Sequence, residues 1–154
     1  MRILLIEDDA FKADDVKRFV DDYYNRSIIV DMVDSYSGGV TKAAMIEYDL
    51  LIVDMTLPKY TESNGAKNGV LPTGGEILLE TLNEMGICTK SVVLTQYETF
   101  NEETIEDIHN RLVKDCGASY LGYIKYDYTA EEWKNKLIDK IEYAFNPNHR
   151  WHEG

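Results

Sequence analysis

Acidic side chains follow two strongly apolar segments of the chain, and they are the residues best suited to do chemistry. Glu7 and Asp8 come directly after the run ILLI, and Asp54 comes directly after LLIV. A buried carboxylate without a partner is costly, so Asp54 must either emerge at the tip of a strand or be paired with another group. Carboxylate oxygens are the ligands that hard divalent cations prefer. The pattern therefore indicates a cation site built by acids from separate segments.

Two further apolar runs end in groups that suit an anion. Thr95 follows VVL and offers a hydroxyl, and Lys125 follows the run Tyr120 to Ile124 and offers a compact positive charge. A hydroxyl and an ammonium group can bind an anion beside a cation that acids hold. The anion that best matches this combination is a phosphoryl group.

Strand-like and helix-like segments alternate along the chain. The predicted strands are Ile3 to Ile6, Ile28 to Val33, Leu50 to Val53, Val92 to Leu94 and Tyr120 to Ile124, and the predicted helices are Phe11 to Tyr24, Val40 to Tyr48, Glu76 to Met85, Glu102 to Lys114 and Ala130 to Phe145. This order predicts an α/β fold, a doubly wound five-stranded parallel sheet with helices on both faces. Ligands of such sheets bind beyond the carboxyl ends of the strands, which is where the acids, the hydroxyl and the ammonium group lie.

Composition limits the partners and the location of the protein. The 154 residues are 44% hydrophobic, which is typical of one globular domain; we assign that domain to residues 1–146 and a C-terminal tail to 147–154. The net charge is -12, so counterion release cannot drive binding and no direct nucleic-acid partner is expected. The apolar N-terminal run is too short for a signal peptide or a membrane span, so we expect a cytoplasmic protein without membrane contact.

Four motifs together resemble a response-regulator receiver domain, the CheY-like phosphoacceptor domain of two-component signalling. They are ILLIEDD at the first strand, YDLLIVDMTLP at the third, VVLT at the fourth and YIK at the fifth, and they span essentially the whole chain. The resemblance implies a flavodoxin-like sheet with strand order 2-1-3-4-5. It also implies a role in a phosphorelay, with a histidine kinase or a histidine phosphotransfer protein as phosphodonor.

The resemblance assigns the acids their roles. Asp54 is the phosphoacceptor, and Glu7 and Asp8 form the acidic pair at the metal. Mg²⁺ or Mn²⁺ would be held by Asp8, Asp54 and the backbone carbonyl of Thr56, with Glu7 acting through a water molecule. One carboxylate oxygen of Asp54 would attack phosphorus while the metal neutralises charge on the incoming group.

Lys125 and Thr95 complete the site that the resemblance implies. Lys125 would pair with one phosphoryl oxygen, and the hydroxyl of Thr95 would donate to another. A salt bridge to Asp54 is the simpler interpretation of Lys125 and would also serve as its resting state. The simpler interpretation of Thr95 is an ordinary β-branched strand residue, although its place at a strand end favours the phosphoryl-binding role.

The resemblance further implies a signalling domain rather than an enzyme, with phosphorylation and dephosphorylation of Asp54 as its only chemistry. Because the last predicted helix ends near Asn146 and PNHRWHEG leaves no room for an output domain, we expect a stand-alone receiver. Its output would be onward phosphotransfer, or binding to an unknown partner or to a second copy of itself. The alternative is a pseudo-receiver that has abandoned phosphorylation and acts as an interaction module.

Two segments are longer than the family pattern. Residues 59–72, KYTESNGAKNGVLP, form an extended loop between the third strand and its helix, where about 2 to 6 residues are usual. This loop is either a lid or docking loop beside the acids, or a tolerated surface insertion. The region 96–116 is also lengthened and rich in acids, which indicates an altered partner surface or a solvated face.

Gln96 and Tyr126 stand where the family has a small residue and a proline. Gln96 directly follows Thr95, and a long amide there would restrict access to the phosphoryl group, so we expect Gln96 to alter the lifetime of the phosphorylated state. Tyr126 directly follows Lys125. A cis peptide bond before a residue other than proline costs about 3 to 4 kcal/mol, so we predict that this bond is trans.

The aromatic switch residue of the family is displaced in this sequence. Gly122 stands three positions before Lys125, where the family has its aromatic residue, and Tyr120 and Tyr123 lie on either side. A bulge at Gly122 would let a tyrosine recover the position. The switch candidates are therefore Thr95 with Tyr123 or Tyr120, and simple packing of both tyrosines is an equal alternative.

Two enzyme classes fit the motifs less well. Phosphatases with an aspartate nucleophile use a DxD motif whose second acid is a general acid or base, but Thr56 stands at that position. Nucleotide-binding folds place a glycine-rich loop after the first strand, where this chain has EDDAFK.

Overall fold

The structure, a computed structural model, describes residues 1–146. Its helices are α1 (Ala10–Tyr23), α2 (Tyr36–Met45), α3 (Gly74–Glu84), α4 (Ile105–Cys116) and α5 (Glu132–Phe145). Its strands are β1 (Arg2–Ile6), β2 (Ile29–Val33), β3 (Leu50–Val53), β4 (Leu57–Thr61), β5 (Lys67–Leu71), β6 (Ser91–Thr95), β7 (Thr99–Phe100), β8 (Glu103–Thr104) and β9 (Tyr120–Lys125). The predicted tail, 147–154, lies outside the described residues.

Five strands form one parallel sheet in the order β2-β1-β3-β6-β9. Numbered among themselves, these strands have the order 2-1-3-4-5, so the predicted flavodoxin-like fold is confirmed. One apolar layer packs α2, α3 and α4 on one face of the sheet, and a second packs α1 and α5 on the other. Strand β3 lies at the centre and is buried along its whole length, which explains its unbroken apolar run.

The register of the sheet brings the ends of its strands to one edge. Ile6 pairs with Val53 across β1 and β3, and Thr95 pairs with Lys125 across β6 and β9. Because all five strands are parallel, the residues that follow Ile6 and Val53 leave the sheet side by side. The predicted acids therefore start from neighbouring backbone positions.

The segment 59–72 is not the extended loop that the sequence predicts. Strands β4 and β5 pair as an antiparallel hairpin, with Tyr60 opposite Asn68, and Gly65 adopts a φ of 88° in its turn. Ser37 donates its hydroxyl to the carbonyl of Lys59 at 3.0 Å, which fixes the hairpin to α2. The insertion is therefore an ordered element beside the carboxyl edge of the sheet.

The lengthened region 96–116 holds a second, much smaller hairpin. Strands β7 and β8 pair there, with Thr99 opposite Thr104, and the ring of Phe100 is buried in the core. Thr104 then caps α4 by accepting a hydrogen bond from the N–H of Asp107, whose side chain accepts one in return. The extra residues thus form a local turn ahead of α4.

Strand β9 contains the bulge that the sequence predicts. Ser91 pairs with Tyr120 and Val93 pairs with Tyr123, so β9 has one residue more than β6 over this stretch. Gly122 lies in this bulge and has a φ of 105°, a backbone conformation that residues with a Cβ rarely adopt. The peptide bonds between the described residues are all trans, as predicted for the bond between Lys125 and Tyr126.

None of the helices in the described part of the chain is both long enough and apolar enough to span a bilayer.

Candidate functional site

The acids at the ends of β1 and β3 form a compact group, which we name the acidic cluster: Glu7, Asp8 and Asp54. One carboxylate oxygen of each residue lies within 4.8 Å of the others. The backbone positions them, because Asp54 donates its N–H to the carbonyl of Ile6 at 3.0 Å and Glu7 donates its own to Val33 at 3.0 Å. Glu7 is buried, whereas Asp8 and Asp54 are partly exposed. The acidic cluster is therefore open to an incoming group on the side of Asp8 and Asp54.

Helix α3 begins directly against the end of β3. A Cβ atom on Gly75 would lie only 2.3 Å from the carbonyl oxygen of Asp54, so glycine is required for this close approach. The N–H of Gly75 donates to the carbonyl of Met55 at 2.7 Å, while the N–H of Met55 donates to the Asp54 carboxylate at 2.9 Å. Thr56 turns its hydroxyl to the carbonyl of Pro72 at 2.9 Å, which ties the base of the β4–β5 hairpin.

A lysine that the sequence analysis did not identify contacts the acidic cluster. Lys12, in the first turn of α1, is only 2% exposed. Its Nζ lies 2.5 Å from Oε1 of Glu7 and 3.1 Å from Oδ1 of Asp54, and it donates to the carbonyl of Leu94 at 2.6 Å. The spacing of Lys12, Val16 and Val20 on the buried face of α1 is the signal that could have revealed it, because a lysine on an apolar helix stripe must reach a buried partner.

Lys125 does not form the resting salt bridge to Asp54 that the sequence suggests. Its Nζ lies 2.5 Å from Oε1 of Glu98, and its side chain is 58% exposed. Lys125 is the last residue of β9, and the buried residues Ile124 and Tyr126 lie on either side of it. Because neighbouring side chains alternate in direction along a strand, Lys125 lies on the opposite face of the sheet from Ile124, where it extends into solvent beside Glu98. The hydrogen bond to Glu98 raises the pKa of Lys125.

Thr95 and Gln96 lie at the end of β6, but only Thr95 is buried. Thr95 is 1% exposed, and its hydroxyl oxygen accepts a long hydrogen bond of 3.4 Å from the N–H of Tyr97. The carbonyl of Thr95 accepts from the N–H of Tyr126 at 2.8 Å. Gln96 is exposed beside it.

Tyr126 packs next to the buried side chain of Lys12. The ring centroid of Tyr126 lies 5.5 Å from Nζ of Lys12, within the range of a cation–π contact. The hydroxyl of Tyr126 donates to Asp15 at 2.6 Å, and its ring packs against Trp133 with 5.0 Å between centroids. The residue that replaces the family's proline is therefore part of the support of the buried lysine.

Burial dominates the electrostatics of the acidic cluster. The pKa of Glu7 is raised to about 8, mainly by desolvation and also by the negative charge of Asp54, although the ammonium group of Lys12 acts in the opposite direction. A buried carboxyl of this kind favours either a proton or a compensating cation. Three carboxylates are a hard oxygen donor set that fits Mg²⁺, with Asp8 and Asp54 offering the more accessible oxygens.

The β4–β5 hairpin extends to the acidic cluster. Nζ of Lys67 donates to the backbone carbonyl of Asp8 at 2.6 Å and lies 3.7 Å from its Oδ2. A groove of about 900 Å³ lies between the hairpin and α2, and Glu7, Asp8 and Lys67 are among the residues that line it. The hairpin therefore forms one side of the approach to Asp8.

The two switch candidates on β9 both contact His109 of α4. Tyr120 is buried, and its hydroxyl lies 2.8 Å from Nδ1 of His109. Tyr123 is partly exposed, hydrogen-bonds to Glu106 and stacks edge-on against the ring of His109 with 5.2 Å between centroids. Both tyrosines pack in this structure, and the switch role of either one stays a prediction.

Solved structures share this architecture. The chain matches the signal receiver domain of a LuxO repressor protein from Vibrio parahaemolyticus with a TM-score of 0.67 and 18% identity, over 96% of this chain and 94% of that one. The fold is that of a response-regulator receiver domain. A second receiver-fold match is the response regulator TrrA from Thermotoga maritima, solved in complex with Mg²⁺-BeF, with a TM-score of 0.57 and 17% identity over 90% of this chain and 97% of that one.

Sequence comparison points to the same class. The chain is 27% identical over 150 residues to the Detocs response regulatory protein DtcB of Enterobacter cloacae (strain JD6301), covering 92% of this chain and 98% of that protein. No family model matches the chain. The similarity thus extends over almost the entire length of both proteins.

Proposed function

We propose that this receiver-fold chain is a cytoplasmic phosphoacceptor in two-component signalling. Asp54 accepts a phosphoryl group from a histidine kinase or a histidine phosphotransfer protein, and the phosphorylated domain acts by binding other proteins. The observation that carries the proposal is the convergence of Glu7, Asp8 and Asp54 within 4.8 Å at the carboxyl edge of the sheet. The similarity to a protein named as a response regulator supports it.

The proposed step transfers a phosphoryl group from a histidine nitrogen, or from an oxygen of a small phosphodonor, to a carboxylate oxygen of Asp54. A carboxylate oxygen of Asp54 forms a bond to phosphorus, the bond from phosphorus to the donor atom breaks, and the donor group leaves with the electron pair. Asp8 and Asp54 would hold Mg²⁺ directly, and Glu7 would act through a water molecule. When bound, Mg²⁺ supplies neutralisation of the charge on the phosphoryl oxygens. The domain turns over no other substrate, so it is not an enzyme in the usual sense.

Labelling with a small phosphodonor tests this proposal. The protein is mixed with acetyl phosphate in Mg²⁺ or in EDTA, and its intact mass is measured. We expect an increase of one phosphoryl group that depends on Mg²⁺, survives acid and is lost in base. Asp54→Asn should abolish the increase. Asp49→Asn is the matched control, because Asp49 is an exposed aspartate just before the opposite end of β3.

A second candidate function follows from one specific contact. Lys12 already pairs with Glu7 and Asp54, and an internal ammonium group of this kind suits a receiver fold that stays in one state and acts as an interaction module. The labelling experiment separates the two functions. If the wild-type protein takes up no label while an ordinary receiver does so in the same buffer, the interaction module is the better description.

A further inference from the structure

Two lysines reach the carboxyl edge of the sheet, and they differ in what they contact. Lys125 ends β9 and pairs with Glu98 in an exposed position. Lys12 is buried, and its Nζ lies 3.1 Å from Oδ1 of Asp54. Among residues 1–146, Lys12 is thus the lysine in ion-pair contact with the proposed phosphoacceptor.

Three acceptors hold the ammonium group of Lys12, which matches its three N–H donors. Two are carboxylates of the acidic cluster, from Glu7 and Asp54. The third is the backbone carbonyl of Leu94 at 2.6 Å, and this contact does not depend on the charge of any acid. Leu94 directly precedes Thr95, so Lys12 is anchored between the ends of β1, β3 and β6.

The end of β9 places Tyr126 next to Lys12 and directs Lys125 away from the acidic cluster. The extra residue of the bulge at Gly122 precedes Lys125, which points outward, while Tyr126 points inward and is only 4% exposed. The ring of Tyr126 lies over Nζ of Lys12 at 5.5 Å. The departure from the family pattern at the end of β9 therefore supports a lysine that comes from α1.

We propose that Lys12, and not Lys125, supplies the positive charge that pairs with the phosphoryl group on Asp54. This inference rests on the phosphoacceptor function proposed above. When the bond between Asp54 and phosphorus forms, Lys12 exchanges its contact with Oδ1 of Asp54 for a phosphoryl oxygen and keeps its contact with Leu94. Lys12 stays protonated throughout. It therefore stabilises the negative charge of the phosphoryl group and transfers no proton.

Three variants and two ligands test the inference. Lys12→Met keeps the length of an unbranched side chain and removes the charge. Lys12→Gln is the second variant, because its amide can still donate to the Leu94 carbonyl if the methionine variant does not fold. Lys125→Met is the matched control. Each protein is checked by circular dichroism, labelled with acetyl phosphate in Mg²⁺, and titrated by calorimetry with Mg²⁺ alone and with beryllofluoride in the presence of Mg²⁺.

The inference predicts a split between the two ligands. In Lys12→Met or Lys12→Gln, the labelling rate and the affinity for beryllofluoride fall by about tenfold or more, because a buried charge partner is lost. The affinity for Mg²⁺ alone stays the same or rises, because a positive charge beside the carboxylates has been removed. Lys125→Met changes each quantity by less than about threefold, as expected for an exposed ion pair.

Four outcomes would overturn the inference. Wild-type labelling rates in both folded Lys12 variants would do so, as would a large loss in Lys125→Met. Equal losses of Mg²⁺ and beryllofluoride affinity in both Lys12 variants would assign Lys12 a purely structural role. Absence of label in the wild-type protein would reject the phosphoacceptor function and this inference with it. This outcome is distinguishable from a failure of the inference alone, because it is seen before any variant is made.

Discussion

The two halves of the carboxyl edge differ in how their side chains meet. On the half formed by β1 and β3, three acids from two strands converge within 4.8 Å. On the half formed by β6 and β9, Thr95 and Lys125 are paired in register, yet Lys125 turns outward to Glu98. Backbone register therefore fixes where a side chain starts, and the local path of the strand decides whether it reaches the site.

The difference arises from the bulge in β9 and from the residue that follows Lys125. Gly122 allows one extra residue in the strand, and Tyr126 fills the buried space next to Thr95. The positive charge that the β6–β9 half does not deliver comes instead from Lys12 on α1. Substitutions on each half can therefore separate stability from phosphoryl chemistry.

Removing the ring of Tyr126 should have the largest effect on stability. Tyr126→Ala deletes a buried aromatic ring that packs on Trp133 and covers Lys12, so we expect the free energy of unfolding to fall by about 3 to 4 kcal/mol. Urea denaturation followed by circular dichroism measures this change. Tyr128→Ala is the control, because Tyr128 is 65% exposed and should cost less than about 1 kcal/mol. Similar losses in both variants would show that Tyr126 has no special structural role.

Removing one acid on the β1–β3 half should act on the metal rather than on the fold. Asp8 is partly exposed, so Asp8→Asn leaves the core intact but removes a proposed ligand of Mg²⁺. We expect the Mg²⁺-dependent rise in Tm to disappear and the Mg²⁺ affinity to fall by about tenfold or more. Mutation of a residue that only hydrogen-bonds to a metal ligand already lowers metal affinity by about this factor. Differential scanning fluorimetry with and without Mg²⁺ measures the first effect. The control is Asp14→Asn on the exposed face of α1; an unchanged Mg²⁺ response in Asp8→Asn would contradict the proposed metal site.

Shortening Gln96 should have the smallest effect, on the lifetime of the phosphorylated state. Gln96 is exposed next to Thr95, where a long amide is expected to limit access of water to a phosphoryl group on Asp54. We expect Gln96→Ala to lose the phosphoryl group about twofold faster, which corresponds to about 0.4 kcal/mol in the barrier. The decay of the labelled mass after removal of the phosphodonor gives the rate. Equal decay in wild type and variant would reject the role of Gln96.

The sheet and the acids of the site could be predicted because they depend on short-range patterns. The apolar runs fix which segments are strands, and parallel strands bring Glu7, Asp8 and Asp54 to the same edge. The bulge at Gly122 could also be predicted, because this glycine stands where the family pattern has its aromatic residue. Each of these features can be located without knowing how the helices pack.

Lys12 and the hairpin could not be placed in the same way. The reach of Lys12 to Glu7 depends on how α1 lies across the sheet, although a lysine among Val16 and Val20 on one helix face is a usable signal. The length of residues 59–72 indicates only an extended loop, but the pair Asn64 and Gly65 is a recognised hairpin turn signal. The direction of Lys125 depends on the bulge and on Tyr126 together, and neither alone determines it.

The position of the label along the chain shows whether Asp54 accepts the phosphoryl group. Borohydride reduces an aspartyl phosphate to homoserine, so the labelled protein is reduced, digested and sequenced by mass spectrometry. We expect homoserine at position 54 in the sample with Mg²⁺ and aspartate there in the sample with EDTA. Homoserine at position 8, or at no position in a protein that has gained the mass of a phosphoryl group, would contradict the proposed role of Asp54.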